Sequence, residues 1–242
     1  MTRLTSMDYS AESRTANSPL SREQTWSRTL LRKVPEVTAL FWGAKVLAAS
    51  ASENIGDMLS RRLDLGLAAP TAIASLVFVV VLIWQLSTTR YVPGPFWLTV
   101  VLIGAVGSLL SADVVDGLGA SPWVAATVLL VAFGLVLAAW YLSENTISVH
   151  TVVTRRRELW YWSAGLLALS LGTALGDLVS SSLHLSPPEA VLLFSGVLAS
   201  VAFAFHRFRV NALLAFWTAY IVTLPLGAAL GDLYGTAMTS HH

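Results

Sequence analysis

From Val34 onward the chain alternates apolar tracts with short polar breaks. The tracts run over roughly 37–59, 70–87, 96–116, 123–142, 160–180, 189–206 and 211–232. Each is close to the ~20 residues that an α-helix needs to cross the hydrocarbon core of a bilayer. The breaks carry Pro70, Pro93-Gly94-Pro95, Ser121-Pro122 and Pro187-Pro188, residues that stop helices and turn the chain. The pattern predicts an all-α, polytopic membrane bundle of about seven spans over residues 34–242. Residues 1–33 are rich in Ser, Thr and Arg and lack the apolar stretch of a signal peptide. They read as a disordered cytosolic tail.

Composition narrows the class further. Of the 242 residues 55% are hydrophobic and 12% charged, with a mean hydropathy of +0.66, against about 25% charged in a soluble domain. An ordinary soluble globule, a coiled coil and a disordered chain are excluded. With no cysteine, so are disulfides, thiolate metal sites and cysteine nucleophiles. The net charge of +1 says little as a total; its distribution says more. With the N-terminus inside, the inner segments hold Arg3, Arg14, Arg22, Arg28, Arg32, Lys33, Arg90, Arg155, Arg156, Arg157, Arg207 and Arg209, and the outer ones only Arg61 and Arg62. That bias predicts a cytosolic N-terminus in a bacterial cytoplasmic (inner) membrane and, with seven spans, an external C-terminus.

Aligning the chain with itself reveals a repeat. Phe41-Trp42, Phe96-Trp97, Tyr161-Trp162 and Phe216-Trp217 are spaced 55, 65 and 55 residues apart, so the second half follows the first at a shift of 120. Ten residues after each Trp stands a small residue: Ser52, Gly107, Gly172 or Gly227. Five further on come Asp57, Asp177 and Asp232; the second copy has Ala112 there, with Asp113 one step later. Each copy pairs one motif-bearing helix with one plainer helix, over about 37–90, 91–150, 157–207 and 211–242, the last lacking its second helix. Two crossings per copy make the repeats parallel, related by an axis along the membrane normal.

The stretches Lys33-Val34-Pro35-Glu36-Val37-Thr38 leading to Phe41-Trp42 and Lys45, Leu142 to His150 with Thr154-Arg155-Arg156-Arg157-Glu158 and Tyr161-Trp162, and Asn211-Ala212 to Gly231-Asp232 carry a resemblance. Over residues 33–232 the chain resembles a bacterial family of membrane-anchored proteins of unknown function, built from four tandem two-helix repeats that each carry a tryptophan. The resemblance implies this architecture and no activity. Ser108 and Ala228 stand where other copies have Glu53 and Thr173, so the four sites are not equivalent.

Candidate chemistry sits on the motif-bearing helices. Fifteen residues past the tryptophan is roughly 22 Å along a helix, which places Asp57, Asp113, Asp177 and Asp232 at one depth in the outer third of the membrane. Glu53 lies one turn deeper, on the face of Asp57. Ionisable groups at such depths face a bundle interior or a watery cavity, so these five carboxylates are the candidate cation ligands. Lys45 is the lone basic residue within a span, expected either to gate or balance Glu53 and Asp57, or to snorkel to the interface. The plainer alternatives are a Gly-Asp helix end at the headgroups and a neutral Glu53 hydrogen-bonded to a neighbouring helix. The tryptophans read as an interfacial belt, the glycines as close-packing points. Pro225 is expected to break the last helix and free a carbonyl, and Arg155–Arg157 to contact anionic lipid.

No phosphate loop, nucleophile elbow or zinc-binding helix motif occurs, and nothing supports nucleic-acid binding; the chain does not read as an enzyme. Acidic outer segments (Asp57, Asp64, Asp113, Asp116, Asp177, Glu189, Asp232) and oxygen-only ligands suit a hard cation. The expected function is transport of a small cation, foremost export of a divalent metal such as Mn²⁺, with no resident cofactor. The expected partners are the lipid bilayer, the cation and a further copy in a homo-oligomer. The alternative is a non-catalytic structural or regulatory membrane protein.

Overall fold

The computed structural model describes residues 33–35, 37–62, 68–117, 119 and 121–239. Among them are seven long helices and no strand: α1 (Ala39–Arg62), α2 (Ala68–Ser87), α3 (Pro93–Ala112, running into a π-helical turn at Asp113–Gly117), α4 (Pro122–Glu144), α5 (Arg155–Leu183), α6 (Pro187–Phe208) and α7 (Ala212–Thr239). Local sequence sets their ends. Thr154 and Ser121 accept from the backbone N–H three residues on, at 3.3 and 3.4 Å, and Glu189 accepts from the N–H and hydroxyl of Ser186 at 2.8 and 2.6 Å, covering donors that a helix start leaves open. Pro93, Pro122 and Pro187 open their helices at positions where a missing N–H costs nothing. Asn145, His184 and Arg209 close α4, α5 and α6 in the left-handed region.

Helices α2 to α7 are each long and apolar enough to cross a membrane. The remaining one, α1, carries Lys45, Glu53, Asn54 and Asp57 and is less apolar. It is held by packing: α1 lies against α3, α3 against α5, α5 against α7, and α7 against α1. The four motif-bearing helices thus form a closed ring. The plainer helices clothe it from outside, α2 on α3, α4 on α5 and α6 on α7.

Two layers of side chains show how the ring closes. At one end each aromatic residue stacks on the tryptophan of the next helix. Phe41 meets Trp97 at 5.9 Å, Phe96 meets Trp162 at 5.4 Å, Tyr161 meets Trp217 at 6.4 Å, and Phe216 meets Trp42 at 5.7 Å between ring centroids. Higher up, the small residue of each copy abuts the next helix. A Cβ on Gly107 would stand 3.0 Å from Ser170 N, one on Gly172 2.5 Å from Ile221 O, and one on Gly227 2.6 Å from Ser50 N, while Ser52 abuts Gly104. Because corresponding positions meet at corresponding heights around the whole circuit, the copies are parallel and related by rotation about the ring axis. The outer helices obey the same arithmetic: α2 buries Pro70, Thr71, Ala74, Phe78 and Gln85, α4 the residues 55 further on, Ala125, Ala126, Leu129, Phe133 and Trp140.

Three expectations change, and the arginine run gains a second role. The tryptophans do not form a lipid-facing belt: Trp162 and Trp217 are buried and Trp42 and Trp97 half-buried, because stacking on the neighbouring helix removes them from the interface. The tail boundary at residue 33 moves, since Lys33 and Val34 are buried parts of the bundle. Helix α7 runs unbroken through Pro225. The proline removes the N–H that would bond the Ile221 carbonyl, and that carbonyl faces Gly172, whose lack of a side chain lets the two backbones touch. Of Arg155–Arg157, Arg157 bonds Glu144 at 2.8 Å and the Thr151 carbonyl at 3.2 Å, and the largely exposed Arg156 lies 3.3 Å from Glu144, so the run also ties the start of α5 to the end of α4. Residues 1–32, Asp64 and His241-His242 lie outside the described residues, as do the side chains of Arg61, Arg62, Asp116 and His150.

Candidate functional site

The ring brings Glu53, Ser108, Thr173 and Ala228, one from each inner helix, to the same layer. Ser108 donates to Glu53 at 2.5 Å, and the Ser108 and Thr173 hydroxyls lie 3.3 Å apart. Ser108 and Thr173 also reach the carbonyls four residues back on their own helices, Gly104 at 3.3 Å and Leu169 at 3.4 Å. Ala228 contributes no polar atom, so the layer is a carboxylate and two hydroxyls facing a bare wall.

Beside that wall is a cavity of about 150 Å³ between α1, α5, α7 and the start of α6. Its polar lining comprises Glu53, Thr173, Asp177, Ser180 and Asp232. Glu53 is half-buried at its base, whereas Asp177 and Asp232 are exposed. Glu53 lies within electrostatic reach of Asp177, Asp57 and Asp232. Two small residues shape this space. Ala228 stands where a longer side chain would fill it, and Gly176 admits Pro225 so closely that a Cβ there would sit 2.7 Å from the proline ring.

The predicted residues therefore separate into groups. Glu53, Asp177 and Asp232 share the cavity. Asp57 stays within reach of Glu53's charge without lining it. Asp113 is set apart, in the π-helical turn at the end of α3. It stands one residue past the place of Asp57, and one residue is about 100° of helix rotation. Among the described residues no three carboxylate or imidazole groups converge closely enough to hold one metal ion. The arrangement can receive a cation through one carboxylate, neighbouring hydroxyls and water, with further negative charge at the rim.

Lys45 does not snorkel; it is buried against the ring of Tyr220. Its side chain is 1% exposed and its ammonium lies 3.9 Å from the centre of the Tyr220 ring. Glu53 is eight residues further on, about 12 Å along the helix, so the two do not share a layer. Tyr220 is the residue that α7 places in the same layer, 175 positions later. Gly165, in that layer on α5, leaves the room the phenol occupies.

A second polar centre lies at the tryptophan end. Lys33 contacts Glu158 at 2.7 Å, and Gln85 donates to the other oxygen of Glu158 at 2.9 Å. All three are buried, at 4%, 1% and 0% exposure. Lys33 also reaches the Leu86 carbonyl at 3.4 Å, and its N–H bonds Val152 O at 3.3 Å. The segment ahead of α1 is thus tied to the end of α2 and the start of α5. The repeat holds the sign of this centre: Gln85 occupies the place of Trp140 in α4 and of Phe205 in α6, a polar residue at an aromatic position.

Two stretches of the chain, residues 40–91 and 160–211, match the family model described as Repeat of Unknown Function (DUF347). They cover α1 with α2 and α5 with α6, and they lie 120 residues apart, the shift that superposes the two halves. Comparison with curated proteins and with solved structures gave no match.

Proposed function

We propose that the chain is a four-repeat protein of the bacterial inner membrane, N-terminus in the cytosol, that moves a small cation along its ring axis. A hard divalent ion such as Mn²⁺, carried outward, is the leading cargo. The observation that carries this reading is the Glu53–Ser108–Thr173 layer at the base of a cavity whose rim bears Asp177 and Asp232. Oxygen donors without thiols or imidazoles favour hard cations over soft ones. A single half-buried carboxylate supplemented by water suits a site that must also release its ion. In this reading Glu53 binds the cation, Asp177 and Asp232 gather it at the rim, and Asp57 and Asp113 contribute only to the local potential. Lys45 marks the cation-excluding floor.

The test is metal tolerance. Cells lacking the protein should become sensitive to one divalent salt and accumulate that metal. Glu53→Gln, which keeps volume and removes charge, should fail to restore tolerance while inserting normally; Asp177→Asn and Asp232→Asn should restore it in part. Full tolerance with Glu53→Gln would end the cation reading. The bond from Ser108 to Glu53, which links α3 to α1, favours a second reading, a structural role for the carboxylate. That reading expects Glu53→Gln to change melting in detergent and leave metal content untouched.

A further inference from the structure

We propose that the middle of the ring holds one small monatomic anion, a halide such as chloride, between the Lys45 ammonium and the hydroxyls of Tyr220 and Tyr161. The site lies about two helical turns below the Glu53 layer and does not depend on which cargo the protein carries. Three helices build it. Helix α1 supplies Lys45, α7 supplies Tyr220 in the same layer, and α5 supplies Tyr161 one turn lower. Gly165 of α5 gives the Tyr220 hydroxyl its place, since a Cβ there would stand 3.2 Å from it. The fourth helix, α3, closes the remaining side with Val100 and Ile103, both buried and apolar. Lys45 is 1% exposed, Tyr161 and Tyr220 not at all.

Hydrogen-bond donors outnumber acceptors in this cluster. An ammonium and an indole N–H only donate, whereas a phenol hydroxyl donates and accepts. Buried groups of these kinds are nearly always paired. Yet the Tyr161 and Tyr220 hydroxyls and the Trp162 and Trp217 indole nitrogens have no hydrogen-bond partner among the described residues. Their rings are contiguous: Trp217 lies 6.4 Å from Tyr161 and 5.5 Å from Tyr220, and Trp162 lies 5.0 Å from Tyr161, between centroids. The two hydroxyls are within electrostatic reach of each other, but a bond between them would settle one hydrogen and leave the other. The Lys45 ammonium faces the Tyr220 ring, an attraction that offsets only part of the cost of taking a full charge out of water. Polar groups of the neighbouring layers are engaged elsewhere. Glu158, one turn below Tyr161, accepts from Lys33 and Gln85, and the Ser170 and Thr223 hydroxyls donate to carbonyls of their own helices. Surplus donors around a buried positive charge call for an anion, the reverse of the oxygen-rich layer above. Ile103, Leu169 and Leu224, all buried, pack this part of the ring, which favours a single atom over a polyatomic ion.

Melting of the full-length protein in detergent, with sodium salts at constant ionic strength, tests the site. Tm should rise saturably, by about 5 °C, as chloride replaces gluconate. Bromide should substitute for chloride, and sulfate should not. Tyr220→Phe, which keeps the ring and removes the hydroxyl, should raise the half-saturating chloride concentration about tenfold. Lys45→Met should abolish the response to chloride. Crystals grown in bromide should give an anomalous peak between Lys45 Nζ and the two hydroxyls. A neutral Lys45 that accepts a hydrogen bond from a tyrosine, or trapped water, would satisfy the cluster without an ion. Melting would then be the same in chloride and gluconate, and the proposal would be overturned. A full chloride response in Lys45→Met, or bromide bound only elsewhere, would overturn it as well. Should Lys45→Met fail to insert, Tyr220→Phe decides, because an unchanged half-saturating concentration rejects the site.

Discussion

The two ends of the ring are built from the same repeat and treat its symmetry in opposite ways. At the tryptophan end the four copies stay alike: four aromatic pairs link each helix to the next, and the buried Lys33–Glu158–Gln85 centre braces them. At the carboxylate end the copies diverge into Glu53, Ser108, Thr173 and Ala228, and a cavity opens beside the smallest of them. Symmetry serves stability where every contact is repeated. Where the symmetry is broken, one charge stands among three different neighbours, and the proposed cation site rests on that difference.

Substitutions sharpen this contrast. The largest effect is expected at the buried ion pair. Glu158→Leu strands the Lys33 ammonium and takes an acceptor from Gln85, and breaking a buried pair from one side costs about 3–5 kcal/mol. The detergent-solubilised protein should melt markedly lower, and the double variant Lys33→Met/Glu158→Leu should recover most of the loss. Equal melting of single and double variants would mean that the pair itself is not the brace. Next, Trp162→Ala empties a fully packed position and should cost on the order of 3 kcal/mol, whereas the half-buried Trp42→Ala should cost clearly less in the same melt. The smallest stability effect belongs to the carboxylate end. Ser108→Ala removes the donor to Glu53, about 1–3 kcal/mol, and Thr173→Val should lose less, since its hydroxyl only borders that bond. Both should change metal tolerance more than melting, the reverse of the tryptophan-end variants. If Ser108→Ala and Glu158→Leu moved melting and tolerance in the same proportion, the division of labour between the ends would be lost.

Much of this was readable in the chain. The 120-residue shift and the Trp, small-residue and Asp spacings foretold a parallel ring, because each copy keeps the same residue type wherever helices meet. Glu53, Asp177 and Asp232 were legible as companions for the same reason. Partnerships that the repeat does not contain were hidden. Lys33 and Glu158 are 125 residues apart and Gln85 and Glu158 are 73 apart, and neither spacing is a multiple of the period. Lys45 was read against the carboxylates of its own helix, whereas its neighbour is the residue of its own layer on another helix, Tyr220. Asp113 shows the limit of aligning by type. It is the acidic residue nearest the expected place, but one position of slippage turns it to another face.

A ring that closes on itself has no outermost member, although the chain that builds it has two ends. Helix α7 meets α1 through the contact Phe216–Trp42 that α1 makes with α3 through Phe41–Trp97. Rocking one helix away from the axis at that level would break contacts on both its flanks at once. The tryptophan end is in this sense a collar, able to widen only if all four seams give together. In the opposite half Gly176 and Pro225 flank the cavity, and among the described residues no such circuit of interlocked aromatic side chains runs from helix to helix. A collar at one end and a cavity at the other imply that any conformational change should register first around that cavity, in α6 and the upper turns of α5 and α7.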